Sequence, residues 1–209
     1  VFVVSGASRG IGLQFVKTLV SNTKVRSVSS LVAMSALSTN ISMKSSLLCL
    51  LLLVLRPLQG KIIACCRNPA SSDGLQSLLD GLEQDERKRI HFVQMDLEDQ
   101  SSIVAAANEI RSKFDRVDML LNVAGLLGDA KTTSGPERSL AKIERDWLEK
   151  TFSVNVFGPV MFSKELVPLM AQNRRGKNEA SSSSRSNSVI VNLSARVGSI
   201  SDNNLGGWY

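Results

Sequence analysis

Two features of the chain predict an α/β fold, a doubly wound parallel sheet. A short apolar run at residues 1–5 passes through the turn Gly6-Ala7-Ser8-Arg9-Gly10-Ile11-Gly12 into residues with helical spacing. Further short apolar runs then alternate with helical patterns, the rhythm of a parallel sheet covered on both faces. The 209 residues, 43% of them hydrophobic, suffice for one domain with a real core and rule out a disordered chain.

The elements follow in order. Residues 1–5 read as a strand, and 13–20 continue the first helix with apolar residues on one face. A second strand is expected at 61–66, closed by the loop Arg67-Asn68-Pro69. Residues 72–89 read as one helix, with Leu75, Leu78, Leu79 and Leu82 on a common face. Residues 90–95 alternate as a third strand ending at Asp96-Leu97. The next helix spans 101–114, with Ser101 or Ser102 as its N-cap. A buried fourth strand at 119–122, one or two long helices within 141–170 and a fifth strand at 188–193 complete the pattern.

Two stretches break the rhythm of this single domain, 1–209. Compact units join a helix to the next strand by a few residues. Here 21–60 intervene, rich in Ser and Leu, free of acids and ending in Arg56-Pro57-Leu58-Gln59. The composition reads as translated intron, a pyrimidine-rich tract giving Leu and Ser and a terminal CAG giving Gln59. A genuine surface insertion is the other reading. Residues 173–187, rich in Ser, Arg and Asn, read as a flexible loop.

Charge and composition exclude several function classes. The net charge of +6 comes from 22–60, which carries +4, and 173–187, which carries +3, so the remainder is near neutral. That is a solvated surface rather than a basic groove, and no nucleic-acid partner is expected. The apolar run 47–55 is far shorter than the roughly 20 residues a membrane-spanning helix needs, so no membrane partner is expected. Three cysteines, Cys49, Cys65 and Cys66, fit neither a disulfide framework nor a zinc site, which suggests a reducing compartment, cytoplasm or organellar stroma. The single histidine, His91, argues against a Ser-His-Asp hydrolase and a His-rich site, and no metal is expected. Val1 already lies within a strand pattern, so the true N-terminus and any targeting signal are expected upstream.

The glycine turn carries the chemistry. It follows a strand and opens a helix, the context in which free helix N–H groups bind a phosphate. Gly6 suits the tight turn, Gly10 lets backbone approach a pyrophosphate, and Gly12 allows helix to pack on strand. A P-loop would need Gly-Lys-Ser/Thr where this turn has Gly10-Ile11-Gly12.

Ser5-Gly6-Ala7-Ser8-Arg9-Gly10-Ile11-Gly12 resembles the TGxxxGIG fingerprint of the short-chain dehydrogenase/reductase family, a Rossmann fold. The likeness continues in family order. Asp96-Leu97 matches the pair that contacts adenine, and Asn122-Val123-Ala124-Gly125 matches the NAG motif. Asn155 matches the helix asparagine of the catalytic tetrad, and Val191-Asn192-Leu193-Ser194 matches the strand that delivers the active-site serine. Residues 195–200 followed by Gly206-Gly207-Trp208-Tyr209 look most like C-factor and sniffer-like carbonyl reductases.

The resemblance implies hydride transfer between a nicotinamide and a small carbonyl or secondary-alcohol substrate, in proteins that are homo-oligomers at full length. A tyrosine serves as general acid/base, a lysine lowers its pKa, a serine bonds the substrate oxygen and an asparagine supports a proton path. Asn155 and Ser194 are the expected catalytic residues. The usual serine position holds Ala195, and Ser199 is the other candidate. The expected cofactor set is Gly6, Ser8, Arg9, Gly10, Ile11, Gly12, Arg67, Asp96, Leu97, Asn122, Ala124 and Gly125. An NAD-preferring fold places a carboxylate after the second strand, whereas this chain has Arg67 there and Arg9 in the turn. Guanidinium suits a 2′-phosphate, so NADP(H) is expected before NAD(H). Tyr209 reads as the aromatic just before the family's catalytic tyrosine, and the paired lysine is absent. The sheet is thus expected to be incomplete at its C-terminal end and unable to complete proton transfer. A non-catalytic dinucleotide-binding or interaction protein is the alternative.

Overall fold

The computed structural model describes residues 1–21, 60–127, 140–171, 188–195, 198, 199 and 201. Cys49, 47–55, almost all of the 21–60 stretch, 173–187 and 206–209 lie outside the described residues.

Five parallel strands form one sheet in the order β3-β2-β1-β4-β5: β1 (Phe2–Ser5), β2 (Ile62–Cys66), β3 (Ile90–Gln94), β4 (Met119–Asn122) and β5 (Val189–Asn192). The chain moves outward from β1 to β3, then returns to the other side of β1 for β4 and β5. This reversal makes the sheet doubly wound, and its switch point lies between β1 and β4.

Strands β1, β2 and β4 are buried on both faces, and alternation along them feeds two cores, whereas β5 leaves Val189 and Ile190 exposed. Phe2, Val4, Ile62, Ala64, Cys66, Met119 and Leu121 face the first. Helix α1 (Gly10–Ser21) supplies Phe15, Val16, Leu19 and Val20 there, and α2 (Asp73–Asp80) supplies Leu75 and Leu78. Val3, Ile63, Cys65, Val93 and Leu120 face the second. There α4 (Gln100–Lys113) buries Ile103, Ala106, Ala107 and Ile110, one stripe at helical spacing, against Phe162, Leu166 and Leu169 of α6 (Gly158–Ala171). Each fully buried Leu, Ile or Phe contributes about 2 kcal/mol of transfer free energy.

Two local expectations change, and a third gains a detail. The helix expected over 72–89 is two: α2 ends at Gly81, and α3 (Gln84–Arg87) restarts where Glu86 accepts the Glu83 amide at 3.2 Å. The N-cap of α4 is Asp99, whose Oδ1 accepts the Ser101 amide at 2.8 Å. A carboxylate two residues ahead of Ser101 wins the capping position, and the Ser102 hydroxyl accepts the Asp96 amide at 2.9 Å instead. Within 141–170, α5 (Arg145–Phe152) and α6 are joined by a π-helical turn, Ser153–Phe157. Among the described residues, no helix is long and apolar enough to cross a membrane.

Candidate functional site

Residues Cys65, Ser5, Asn122 and Asn192 sit in one row across the carboxyl ends of β2, β1, β4 and β5. Above this row opens a crevice of about 1290 Å³, beyond the roughly 300–1,000 Å³ of sites for drug-sized ligands.

The glycine turn forms one wall. Gly6 has φ +76°, and a Cβ there would lie 2.7 Å from Ala124 Cα, so the turn rests directly on the loop after β4. Gly10 has φ +56°, and among the described residues nothing lies within 4 Å of where its Cβ would stand. A Cβ on Gly12 would overlap the Gly6 carbonyl oxygen, so the head of α1 is packed against the turn. The first turn of α1 carries no acidic residue, which leaves its positive end uncompensated.

Of the residues expected from sequence, Gly6, Ser8, Arg9, Gly10, Ile11, Gly12, Arg67, Asp96, Leu97, Ala124 and Gly125 line this one crevice. Asn122 stands beneath it. Its side chain is almost wholly buried, donating to Ser163 Oγ at 3.0 Å and to Asn192 Oδ1 at 2.9 Å, so it ties β4 to β5 and α6. Its Oδ1 has no partner among the described residues.

Asn155 lies on the π-helical turn and grips the loop after β4 with both ends of its amide. Oδ1 accepts the Leu126 amide at 2.7 Å and Nδ2 donates to the Leu126 carbonyl at 2.9 Å. Its neighbour Val154 lines the crevice, as does Leu126 itself. An extra residue in a helical turn re-aims side chains, and such turns recur at functional sites. Ser194 follows Leu193, whose amide bonds the Asn122 carbonyl at 3.0 Å; Leu193 lines the crevice and Ser194 is exposed beside it. A Cβ on Gly198 would stand 3.1 Å from Ser194 Oγ. The Ser199 hydroxyl is engaged with Ser201 at 3.1 Å.

The crevice also holds residues that sequence reasoning missed, among them Ser71, Ser72, Asp73, Glu98, Trp147 and Lys150. Ser72 alone carried a signal, as a hydroxyl just ahead of a helix. Its side chain caps α2, accepting the Leu75 amide at 3.4 Å. Lys150 and Glu98 face each other at 3.8 Å. The lining cations Arg9, Arg67 and Lys150 are matched in number by the acids Asp73, Asp96 and Glu98. Burial pushes the Cys66 thiol up, partly offset by the Asn68 amide, so the cysteine on the crevice floor is a neutral wall.

A family model described as short chain dehydrogenase matches residues 57–200, a stretch that begins after the glycine turn. The chain is 32% identical over 124 residues to Dehydrogenase/reductase SDR family member 7B of Mus musculus, covering 59% of this chain and 36% of that protein. The same-named protein of Xenopus tropicalis is 35% identical over 121 residues, covering 56% and 36%. The match thus spans little more than a third of the length of these two relatives. Among solved structures it is similar to an NADPH-bound carbonyl reductase from chicken fatty liver, with TM-score 0.64 at 22% identity, over 98% of this chain and 62% of that one. Carbonyl reductase Sniffer of D. melanogaster gives TM-score 0.66 at 21% identity, over 99% and 65%. At such identities the likeness speaks to the fold. With the family model matching residues 57–200, more than half of the chain, and the glycine turn at the switch point of a doubly wound sheet, the chain belongs to the short-chain dehydrogenase family.

Proposed function

We propose that the crevice binds a nicotinamide dinucleotide, NADP(H) in preference to NAD(H), and that the protein transfers a hydride between the nicotinamide and a small carbonyl or secondary-alcohol substrate. The observation that carries this reading is the cradle at Gly10. Among the described residues it has no neighbour within 4 Å of a Cβ position, at the head of a helix with no acid in its first turn. A diphosphate fits that space and charge.

The residues present suit each part of the ligand. Backbone amides around Gly10 and Gly12 would hold the diphosphate. The Asp96-Leu97 pair, fixed by the Ser102 hydroxyl on the Asp96 amide, would flank the adenine. Arg9 and Arg67, both on the crevice wall, would bind a 2′-phosphate. Asn155 holds the Leu126 loop and keeps that wall of the crevice in place. Ser194 is the residue assigned to bond the substrate oxygen. When bound, the nicotinamide supplies the hydride chemistry. The names of the relatives, dehydrogenase/reductase and NADPH-bound carbonyl reductase, support the same reading.

The test is a titration of the purified chain with NADPH and NADH, followed by the fluorescence of Trp147 on the crevice wall. Saturable quenching with tighter NADPH is expected. No binding of either nucleotide would overturn the reading, and tighter NADH would overturn the cofactor preference.

A further inference from the structure

The wall between Arg9 and Arg67 is held by a contact that neither arginine makes. The Ser72 hydroxyl donates to the Ser8 carbonyl oxygen at 3.2 Å while accepting the Leu75 amide at 3.4 Å. Two residues on, a Cβ at Gly74 would stand 2.7 Å from the same Ser8 oxygen and 2.8 Å from Leu13 Cδ2. The first turn of α2 is therefore seated on the glycine turn, one residue before Arg9. The segment bearing Arg67 is pinned at both ends. Cys66 pairs with Gln94 within the sheet, and Ser72 is fastened to Ser8.

We propose that Ser72 and Gly74 are positioning residues for cofactor selection, setting the spacing at which Arg9 and Arg67 bridge one 2′-phosphate. The inference rests on the dinucleotide reading above and adds to it the residues that pre-arrange the arginines. Both arginines are long side chains that lose rotamer freedom on binding. Their joint grip on one phosphate is strong only when their backbones are already held at a fixed separation. The seat is specific to small groups: Ser72 is a short hydroxyl that reaches a carbonyl, and Gly74 is the residue without a Cβ to strike it. Because the 2′-phosphate is what distinguishes NADP from NAD, loosening the seat falls on one cofactor and spares the other.

The experiment compares the full chain with Ser72→Ala, Ser72→Thr and Gly74→Ala, measuring Kd for NADPH, NADH, adenosine 2′,5′-bisphosphate and ADP, with thermal melts alongside. Ser72→Ala removes both hydrogen bonds of the hydroxyl, of which the one to Ser8 bears on the arginine spacing, so NADPH and the bisphosphate weaken about five-fold. NADH and ADP stay within about two-fold, and Ser72→Thr restores the ratio. Gly74→Ala gives the larger loss, since a backbone oxygen cannot step aside; if that variant does not fold, the two Ser72 variants decide alone. Equal weakening of all four ligands, or none, would show that the seat serves only stability and overturns this inference while leaving the dinucleotide reading intact. A parent chain that binds no nucleotide takes both down.

Discussion

The Arg89 guanidinium grips the Gly60 carbonyl oxygen with two of its nitrogens, Nε and Nη2, each at 3.2 Å. Its Nη1 reaches the Val20 carbonyl at 3.2 Å and its Nη2 the Leu19 carbonyl at 3.4 Å. One side chain thus holds the last turn of α1 and the entry to β2 together, across the two ends of residues 22–59. Because Nη2 touches both Leu19 and Gly60, those oxygens are no further apart than the two bonds end to end, a gap that about two extended residues span. Replacing 22–59 with a linker of about four residues is expected to leave one cooperative thermal transition and unaltered nucleotide affinity. Arg89→Ala is expected to cost about 2 kcal/mol in the full chain and less in the shortened one, where the covalent link does part of the same work. A shortened chain that fails to unfold cooperatively would sink the idea.

Gly12→Ala tests the packing of α1 on the turn. The new Cβ would overlap the Gly6 carbonyl, and Gly6 in turn is held by its amide bond to the Cys65 carbonyl at 3.0 Å and by contact with Ala124. No flexible side chain can yield, so the helix must move. A loss of about 2 kcal/mol in urea unfolding is expected, with nucleotide binding lost at millimolar concentrations. Wild-type affinity in this variant would mean that the diphosphate does not sit at the head of α1.

Much of this arrangement was legible in the sequence because each signal was local. The turn from Gly6 to Gly12 announces itself by the strand before it and the helix after it, and Arg67 is simply the residue that follows β2. What could not be read were contacts between segments far apart in sequence. Asn122 is visible as the head of its motif, but the bonds its Nδ2 donates to Ser163 of α6 and to Asn192, its register partner on β5, are not. Ser72 meeting Ser8, Trp147 and Lys150 reaching the crevice, and Arg89 closing α1 onto β2 leave no periodicity to detect. The break at Gly81 falls inside a leucine stripe that runs from Leu75 through Leu82, so the pattern reads as one helix. The π-helical turn at Asn155 inserts into a continuous helical pattern and so is silent.

Asn155 makes two bonds to one backbone unit, and two substitutions separate them. Asn155→Asp keeps an acceptor for the Leu126 amide and loses the donor to the Leu126 carbonyl, whereas Asn155→Ala loses both. The site is exposed, so stability should fall only by about 1 kcal/mol for alanine and less for aspartate. Nucleotide affinity is expected to follow the same order, because Leu126 lines the crevice. Hydrogen exchange at the Leu126 amide gives the direct check: faster exchange in Asn155→Ala and near-native protection in Asn155→Asp. Unchanged protection in the alanine variant would remove Asn155 from this role.

Buried titratable groups bound the pH range of the fold from both sides. Burial pushes the Cys65 thiol well up, reinforced by Cys66 and Glu109, and raises Cys66 less strongly. Unfolded thiols ionise near about pH 8.5, while the folded protein keeps those protons. Above that pH the native state binds more protons than the unfolded one, so stability falls as pH rises. On the acid side burial lowers the His91 pKa, with Lys61 and Lys113 adding to it. There the unfolded chain takes up a proton near about pH 6.5 before the folded one does, and stability falls as pH drops. Urea midpoints are therefore expected to be highest between about pH 6.5 and 8.5. Cys65→Ala should flatten the alkaline decline at a cost of about 1 kcal/mol in lost packing. If the alkaline slope persists unchanged in that variant, the thiol is not its source.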